Sequence, residues 1–132
     1  MNEMIKAYTE TDFIVYEPAI VIKVGQVNSR LDELLIQYNK TSWAYITAWN
    51  PYSAPTDKNI NEERNHQLRN DISQYKFFDG EGVGTDPSWE SEKSFLILGI
   101  DRADAVRIGK KYRQNAIVVG EIHQKAELLW IK

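Results

Sequence analysis

The feature that most constrains the fold is the run SFLILGI, in which residues Ser94 to Ile100 are almost all apolar. A short apolar run of this length is typical of a buried strand. Further β-branched and aromatic runs predict strands at residues 13–16, 19–24, 43–48 and 75–78, and residues 115–131 predict a closing hairpin that turns at 122–125. The chain therefore predicts a sheet of about six or seven strands.

Three segments have apolar residues at helical spacing and predict helices. They are SRLDELLIQYN with Ser29 as a candidate cap, TDKNINEERNHQLRNDIS, and a segment that begins at Asp101 or Asp104 and ends near Arg113. Helices that alternate with pairs of strands favour an α+β fold, with three helices packed on a mixed, largely antiparallel sheet. At 132 residues the chain has the length of one domain, so we expect a single domain over residues 1–132.

Composition and charge argue against several classes of protein. Sixteen Lys and Arg against nineteen Asp and Glu give a formal charge of -3, so we expect no nucleic-acid partner and no global attraction to anionic lipid. The absence of cysteine excludes disulfides, a thiolate nucleophile and Cys-ligated metal centres. The first residues lack the apolar core of a signal peptide, and no run approaches the roughly 18 apolar residues of a membrane span. We therefore expect a cytoplasmic protein.

The familiar catalytic and cofactor motifs are missing. GEGVG, residues 80–84, lacks the G-x-G-x-x-G spacing and a following Lys-Ser or Lys-Thr, so we interpret it as a flexible or bulged strand end that needs a positive φ. His66 and His123 do not have a metal-binding spacing, and no G-x-S-x-G elbow supports a serine nucleophile. We expect no cofactor and no metal.

Polar side chains lie beside the predicted strand ends in three parts of the chain. They are Thr47, Asn50, Glu92, Ser94, Gln114 and Asn115. The proline after Asn50 disfavours the helical region for that residue and makes the chain turn there. Ligands often bind at strand ends that are followed by helices. The alternative is that these groups cap helices and satisfy the backbone of loops.

Four ordered blocks carry a family resemblance over nearly the whole chain. They are ITAWNP, an N-x-x-R-x-x-x-L run at Asn61, Arg64 and Leu68, GEGVG followed by W-x-x-E-x-S-F, and GKKYRQNAIVVGE. They resemble a family of small bacterial proteins known only as a domain of unknown function, whose blocks look like TAWNP, W-x-P-E-x-S and F-G-Q-N-A. Ser91 replaces the family's proline, and Tyr112-Arg113 replaces Phe-Gly, which leaves open whether the turn before Gln114 needs a positive φ. The resemblance implies a one-domain soluble bacterial or phage-borne protein with no established activity.

These residues together predict a pocket at the end of a central strand, with Trp49 as an apolar wall. The predicted ligand-binding residues are Thr47, Trp49, Asn50, Asn61, Arg64, Glu92, Ser94, Gln114 and Asn115. Such a set suits a polar, nucleotide-like molecule, because an indole can stack, Arg64 can bind phosphate, and Glu92 or the amides can bind a base or ribose hydroxyls.

Three functions remain open at this point. The first is a binding module for such a small molecule, which would sequester a signalling nucleotide if the protein is phage-borne. The second is an interaction or inhibitor module that contacts a protein partner or a second copy through an exposed tryptophan. The third is a small hydrolase in which Glu92 is the general base and Gln114, Asn115 or Arg64 stabilises the developing negative charge.

Overall fold

Seven strands in residues 2–132, the part of the chain that the computed structural model describes, form one sheet. The strands are β1 (Asp12–Val15), β2 (Ile20–Ile22), β3 (Ser42–Ile46), β4 (Lys76–Val83), β5 (Glu92–Leu98), β6 (Ala116–Glu121) and β7 (Glu127–Trp130). Their order across the sheet is β2-β1-β4-β5-β3-β6-β7, and every neighbouring pair is antiparallel. The α+β class and the strand number are confirmed, but the sheet is antiparallel rather than mixed.

The described residues contain four α-helices, one more than the sequence predicts. They are α1 (Asn2–Glu10), α2 (Ser29–Gln37), α3 (Lys58–Asp71) and α4 (Arg102–Lys111), and a 3₁₀ turn spans Pro51–Ser53. The missed helix is α1, whose apolar stripe is only Met4, Ala7 and Tyr8 at i, i+3 and i+4, with Ile5 beside it. Within residues 2–132, no helix is long and apolar enough to cross a membrane.

Each of the other three helices begins at a side-chain cap. Asn28 accepts a hydrogen bond from the Leu31 N–H at 3.0 Å, so Asn28 rather than Ser29 caps α2. Asp101 accepts from the Asp104 N–H at 2.7 Å at the start of α4. A cap of this kind is worth about 1 kcal/mol. These caps fix the residues at which the helices leave the loops around the sheet.

Helices cover both faces of the sheet, which explains the unbroken apolar run in β5. Along β5, Leu96 and Leu98 belong to the core beneath α2, whereas Phe95 and Ile97 belong to the core beneath α3 and α4. A strand that is covered on both faces cannot show polar alternation, because successive side chains point to opposite sides. The sheet is therefore the middle layer of three.

The glycine-rich segment forms the end of strand β4 at residues 80–83. β4 extends to Val83, and Gly80 and Gly82 have no positive φ, so the expectation of a positive φ there is wrong. Gly80 is required for a different reason: a Cβ there would overlap the carbonyl oxygen of Ile14 and lie 2.8 Å from the Tyr45 hydroxyl. The close pairing of β4 with β1 therefore depends on a bare backbone.

Candidate functional site

A cavity of about 330 Å³ lies between α1 and the sheet, where β3 and β4 end and β5 and β6 begin. This volume is within the range of small-molecule sites. Its apolar walls come from α1 and the inner strand positions: Met4, Ala7, Phe13, Ala116, Val118 and Leu128. Its polar groups come from Tyr8, Tyr45, Thr47, Ser53, Glu92, Ser94 and Gln114, and Gly84, Thr85, Asp86 and Trp89 lie on the adjoining loop. The site is thus an apolar chamber with polar groups along one end.

Glu92 is the carboxyl group at that polar end. One of its oxygens, Oε2, accepts long hydrogen bonds of 3.3 Å from the Asn50 amide and from the Trp89 indole N–H. The other oxygen, Oε1, accepts no hydrogen bond from the described part of the chain. Burial raises the pKa of Glu92 above its ordinary value, and the two hydrogen bonds only partly oppose this. Glu92 therefore has an acceptor atom to offer and is easier to protonate than an exposed glutamate.

The loop before α3 has an unusual backbone that brings a hydroxyl to the cavity. Asn50, Tyr52 and Ser53 all have positive φ, between 47° and 61°, which costs about 1 kcal/mol or more for each non-glycine residue. Asn50 is thus outside the right-handed helical region, as the following proline predicts. At the end of this loop the Ser53 Oγ lies 3.3 Å from the Tyr8 hydroxyl.

Asn115 holds the same serine from the side of β6. Its Nδ2 donates to the Ser53 Oγ at 2.9 Å and to the Met4 sulfur at 3.3 Å. Its Oδ1 is buried and has no hydrogen-bond partner among residues 2–132. An unpaired buried amide oxygen normally costs about 1–3 kcal/mol. The Asn115 amide thus supports Met4 and Ser53 in the cavity wall, while its own oxygen lacks a hydrogen bond within the described residues.

The Tyr8 hydroxyl completes this end of the cavity from α1. Burial raises the pKa of Tyr8, and the nearby Glu92 carboxyl acts in the same direction. Tyr8 therefore keeps its proton at neutral pH and can donate as well as accept. Its ring also packs edge-on against Trp130 of β7, with 6.4 Å between ring centroids.

A second polar group, which we call the α3 clamp, consists of Asn61, Arg64 and Asn65 on one face of α3. Asn61 and Asn50 exchange two bonds, since the Asn50 N–H donates to Asn61 Oδ1 at 2.9 Å and Asn61 Nδ2 donates to Asn50 Oδ1 at 2.8 Å. Thr56 adds its N–H to Asn50 Oδ1 and its carbonyl to Asn61 Nδ2. Asn61 is only 1% exposed, and both its amide oxygen and its amide nitrogen are hydrogen-bonded within the protein.

Arg64 and Asn65 hold the backbone next to the same loop. Arg64 donates from Nε to the Ala48 carbonyl at 3.0 Å and from an Nη to the Tyr112 carbonyl at 2.5 Å. Asn65 accepts from the Ala48 N–H and donates to the Lys93 carbonyl at 2.8 Å. The clamp thus ties β3, β5 and the end of α4 to one helix.

The structure divides the predicted site residues into three groups. Thr47, Glu92, Ser94 and Gln114 line the cavity. Asn50 and Asn115 lie directly behind its wall through their bonds to Glu92 and Ser53. Trp49, Asn61 and Arg64 do not line it, and Trp49, 4% exposed, borders a separate depression beside Lys93 and Phe95. Ligand binding by all of these residues stays a prediction.

Several of the lining polar groups already have partners. Thr47 Oγ1 donates to the Lys93 carbonyl at 2.6 Å, and Ser94 Oγ donates to the Glu92 carbonyl at 2.8 Å. Gln114 Nε2 donates to the Trp49 and Tyr112 carbonyls. These side chains stabilise the walls. Among the described lining residues, Glu92 and the exposed Asp86 each keep one carboxylate oxygen without a hydrogen bond, and only Glu92 is half-buried.

Sequence reasoning missed Tyr8, Ser53 and Asn65. Tyr8 lies on helix α1, which the sequence analysis did not predict. The position of Ser53 depends on the positive φ angles of its loop, which the loop sequence does not indicate. Asn65 had a signal: together with Asn61 and Arg64 it forms an i, i+3, i+4 set of polar residues on a helix face.

The turn before Gln114 has a positive φ although Arg113 stands where the family pattern has glycine. Arg113 has a φ of 56°, so the turn before Gln114 needs the left-handed region that a glycine adopts more readily. The turn has a use, because the Arg113 carbonyl accepts the Tyr52 N–H at 2.7 Å. It thereby supports the loop that presents Ser53.

No Lys or Arg lines the cavity among residues 2–132. Over the same described range, no group of three or more His, Asp or Glu side chains is placed to hold a metal ion. The charged side chains that face the cavity are the carboxyl groups of Asp86 and Glu92. The site therefore has a negative electrostatic character.

A comparison with protein families identifies the chain. The family model described as "Protein of unknown function (DUF3293)" matches residues 46–117, which is more than half of the chain. The chain therefore belongs to this family. The matched segment includes the α3 clamp, Ser53 and Glu92, whereas α1 lies outside it. Searches of curated proteins and of solved structures return no significant match.

Proposed function

We propose that this protein is a binding module for a small organic molecule that occupies the cavity beneath α1. The observation that carries the proposal is a cavity of about 330 Å³ with apolar walls and a half-buried carboxyl group that has a free oxygen. Sites for small molecules combine a largely apolar lining with a few polar groups that fix orientation. The chamber and Glu92 have this combination.

The lining favours some ligands over others. A nucleotide-like ligand would need a cation for its phosphate, but no described lining residue is Lys or Arg. Arg64 is outside the cavity, and its guanidinium already donates to the Ala48 and Tyr112 carbonyls. A nucleobase, a nucleoside or another compact molecule without a phosphate therefore suits the site better than a signalling nucleotide.

A second candidate function is hydrolysis with Glu92 as the general base. It is favoured by the raised pKa of this carboxyl, because a base with a pKa close to the working pH is the more effective proton acceptor. A hydrolase would lose turnover in Glu92→Gln, whereas a binding module would keep a measurable, weaker affinity. Turnover by the Gln variant at the wild-type rate would contradict the catalytic alternative.

The interaction-module alternative depends on Trp89, which is 42% exposed. Its indole N–H is bonded to Glu92, and the residue lines the cavity. We therefore propose that Trp89 serves the small-molecule site at its mouth rather than an extended protein interface.

Native mass spectrometry of the protein purified from its host tests the proposed function. We expect a retained small-molecule mass that disappears on denaturation. Ala7→Trp places a large side chain in the cavity from α1 and should abolish retention of the small molecule. Ala103→Trp introduces the same side chain at an exposed position of α4 and should retain it. Equal retention by both variants would contradict the proposal, as would an empty wild-type protein whose melting temperature no nucleoside or aromatic amine changes.

A further inference from the structure

Glu92 has no positive partner in the described chain. It forms no salt bridge, and both hydrogen bonds to its Oε2 come from neutral groups. Glu92 is half-buried, and a carboxylate that is partly removed from water is stabilised by a cation or by protonation. Residues 2–132 supply no such cation, so the charge is compensated by solvent, by a proton or by a ligand.

Other charges at the site act in the same direction. Asp86 is the other carboxyl group that faces the cavity, and Tyr8 and Tyr45 are its other titratable groups. Hydrogen bonds from Ser88 lower the pKa of Asp86, which keeps it ionised. An anionic ligand would therefore meet repulsion, and a neutral ligand would leave the charge of Glu92 uncompensated.

Aromatic rings surround the same space. Phe13 and Tyr45 pack edge to face on the floor, with 5.4 Å between centroids, and Tyr8 and Trp89 lie at the polar end. Aromatic faces attract cations within about 6 Å of the ring. They also accept the hydrocarbon part of an amphipathic ligand.

We propose that the ligand of this cavity is an organic cation, with an ammonium, amidinium or guanidinium group that pairs with the free Oε1 of Glu92 and an apolar part that packs on Phe13 and Tyr45. This inference rests on the proposed function, since it names the class of molecule that the cavity binds. A charged hydrogen bond at Oε1 is stronger than a neutral one and satisfies an atom that residues 2–132 leave without a hydrogen bond.

Three probes of similar size test the inference by calorimetry: 2-phenylethylamine, 2-phenylethanol and 3-phenylpropanoate. We expect the amine to bind at least about tenfold more tightly than the alcohol, because a charge-assisted hydrogen bond is stronger than a neutral one. The carboxylate should bind most weakly. Glu92→Gln should remove the preference for the amine, whereas Glu90→Gln, an exposed neighbour outside the cavity, should retain it.

The pH dependence provides a second readout. Only ionised Glu92 pairs with a cation, so the affinity for the amine should rise with pH through the raised pKa of Glu92 and then level off. Tyr8, Tyr45 and Asp86 face the same cavity, and the raised pKa of the tyrosines and the lowered pKa of Asp86 place their titrations outside this range. In Glu92→Gln this rise should vanish.

The outcomes separate the inference from the proposed function. If the alcohol binds as tightly as the amine, or the carboxylate binds best, the cation inference is overturned while small-molecule binding stands. If none of the three probes binds to the wild-type protein, the cation inference is overturned, and the native mass spectrum decides the proposed function separately. An amine preference that survives Glu92→Gln would also overturn the assignment of Oε1.

Discussion

The α3 clamp and the cavity beneath α1 lie on either side of the same loop but use their polar groups differently. In the clamp, Asn61 and Arg64 donate to protein carbonyls and amide oxygens, and Asn61 is almost completely buried. In the cavity, Glu92 keeps an unbonded oxygen beside space that the protein does not fill. Polar residues near strand ends can thus stabilise the fold or remain available to a ligand. Their hydrogen-bond partners in the structure distinguish these two roles.

The first way to test this comparison is to remove a clamp residue. Asn61→Ala should lower the free energy of unfolding by about 3 kcal/mol, because it leaves the Asn50 N–H and Oδ1 without their buried partner. Urea unfolding followed by circular dichroism measures this change. Asn59→Ala, an exposed asparagine on the same helix, should stay within about 0.5 kcal/mol of wild type. Equal effects in the two variants would contradict a structural role for Asn61.

Arg64→Lys sharpens the comparison by changing geometry while retaining charge. A lysine cannot hold the Ala48 and Tyr112 carbonyls with one planar group, so we expect a loss of about 1–2 kcal/mol in the free energy of unfolding. Arg107→Lys on the exposed face of α4 is the control and should change little. If Arg64 instead serves a ligand, its substitution would weaken probe binding without lowering stability.

A smaller effect of opposite sign is expected at Glu92. Its folded pKa is raised above the ordinary 4.5, so the native state holds a proton more tightly than the unfolded state. The stability that this contributes is complete below about pH 4.5 and is lost as pH rises through the folded pKa. Without ligand, Glu92→Gln should therefore become more stable relative to wild type as pH rises from about 4.5 through the raised folded pKa, as thermal unfolding can measure. A constant difference across this range would contradict the raised pKa.

The smallest effect is expected for Tyr8→Phe. The change removes one long contact to the Ser53 hydroxyl but leaves the ring against Trp130, so the free energy of unfolding should fall by about 0.5 kcal/mol. Tyr52→Phe changes an exposed tyrosine and serves as the control. A decrease of several kcal/mol in the free energy of unfolding would contradict this and would show that Tyr8, like the α3 clamp residues, is essential for stability.

The fold was predictable where local sequence determines local structure. The SFLILGI run identifies β5 because burial on both faces leaves no polar position. The sequence offered Asp101 or Asp104 as the start of α4, and the structure shows that Asp101 is the cap. Helix α1 was missed because its apolar stripe, which includes Met4 and Tyr8, is narrow. The helix lines the cavity only because it packs against strands that are distant in sequence.

The candidate site was predictable only in part. Glu92 and Gln114 stand out because they are polar beside buried strands, and both line the cavity. Asn61 and Arg64 were predicted as site residues from the family resemblance. They hydrogen-bond to the protein instead, which depends on the positions of groups from other elements. Sequence spacing identifies polar residues near the core, whereas the three-dimensional fold decides which of their atoms stay free.

The most direct test of the account is a titration of the ¹⁵N-labelled protein with 2-phenylethylamine, followed by amide chemical shifts. We expect saturable shifts at Tyr8, Ser53 and Ser94 around the cavity, and little change at Asn61 and Asn65 in the α3 clamp. Shifts centred on the clamp, or no saturable shift at any amide, would contradict the division of the molecule into a structural clamp and a ligand cavity.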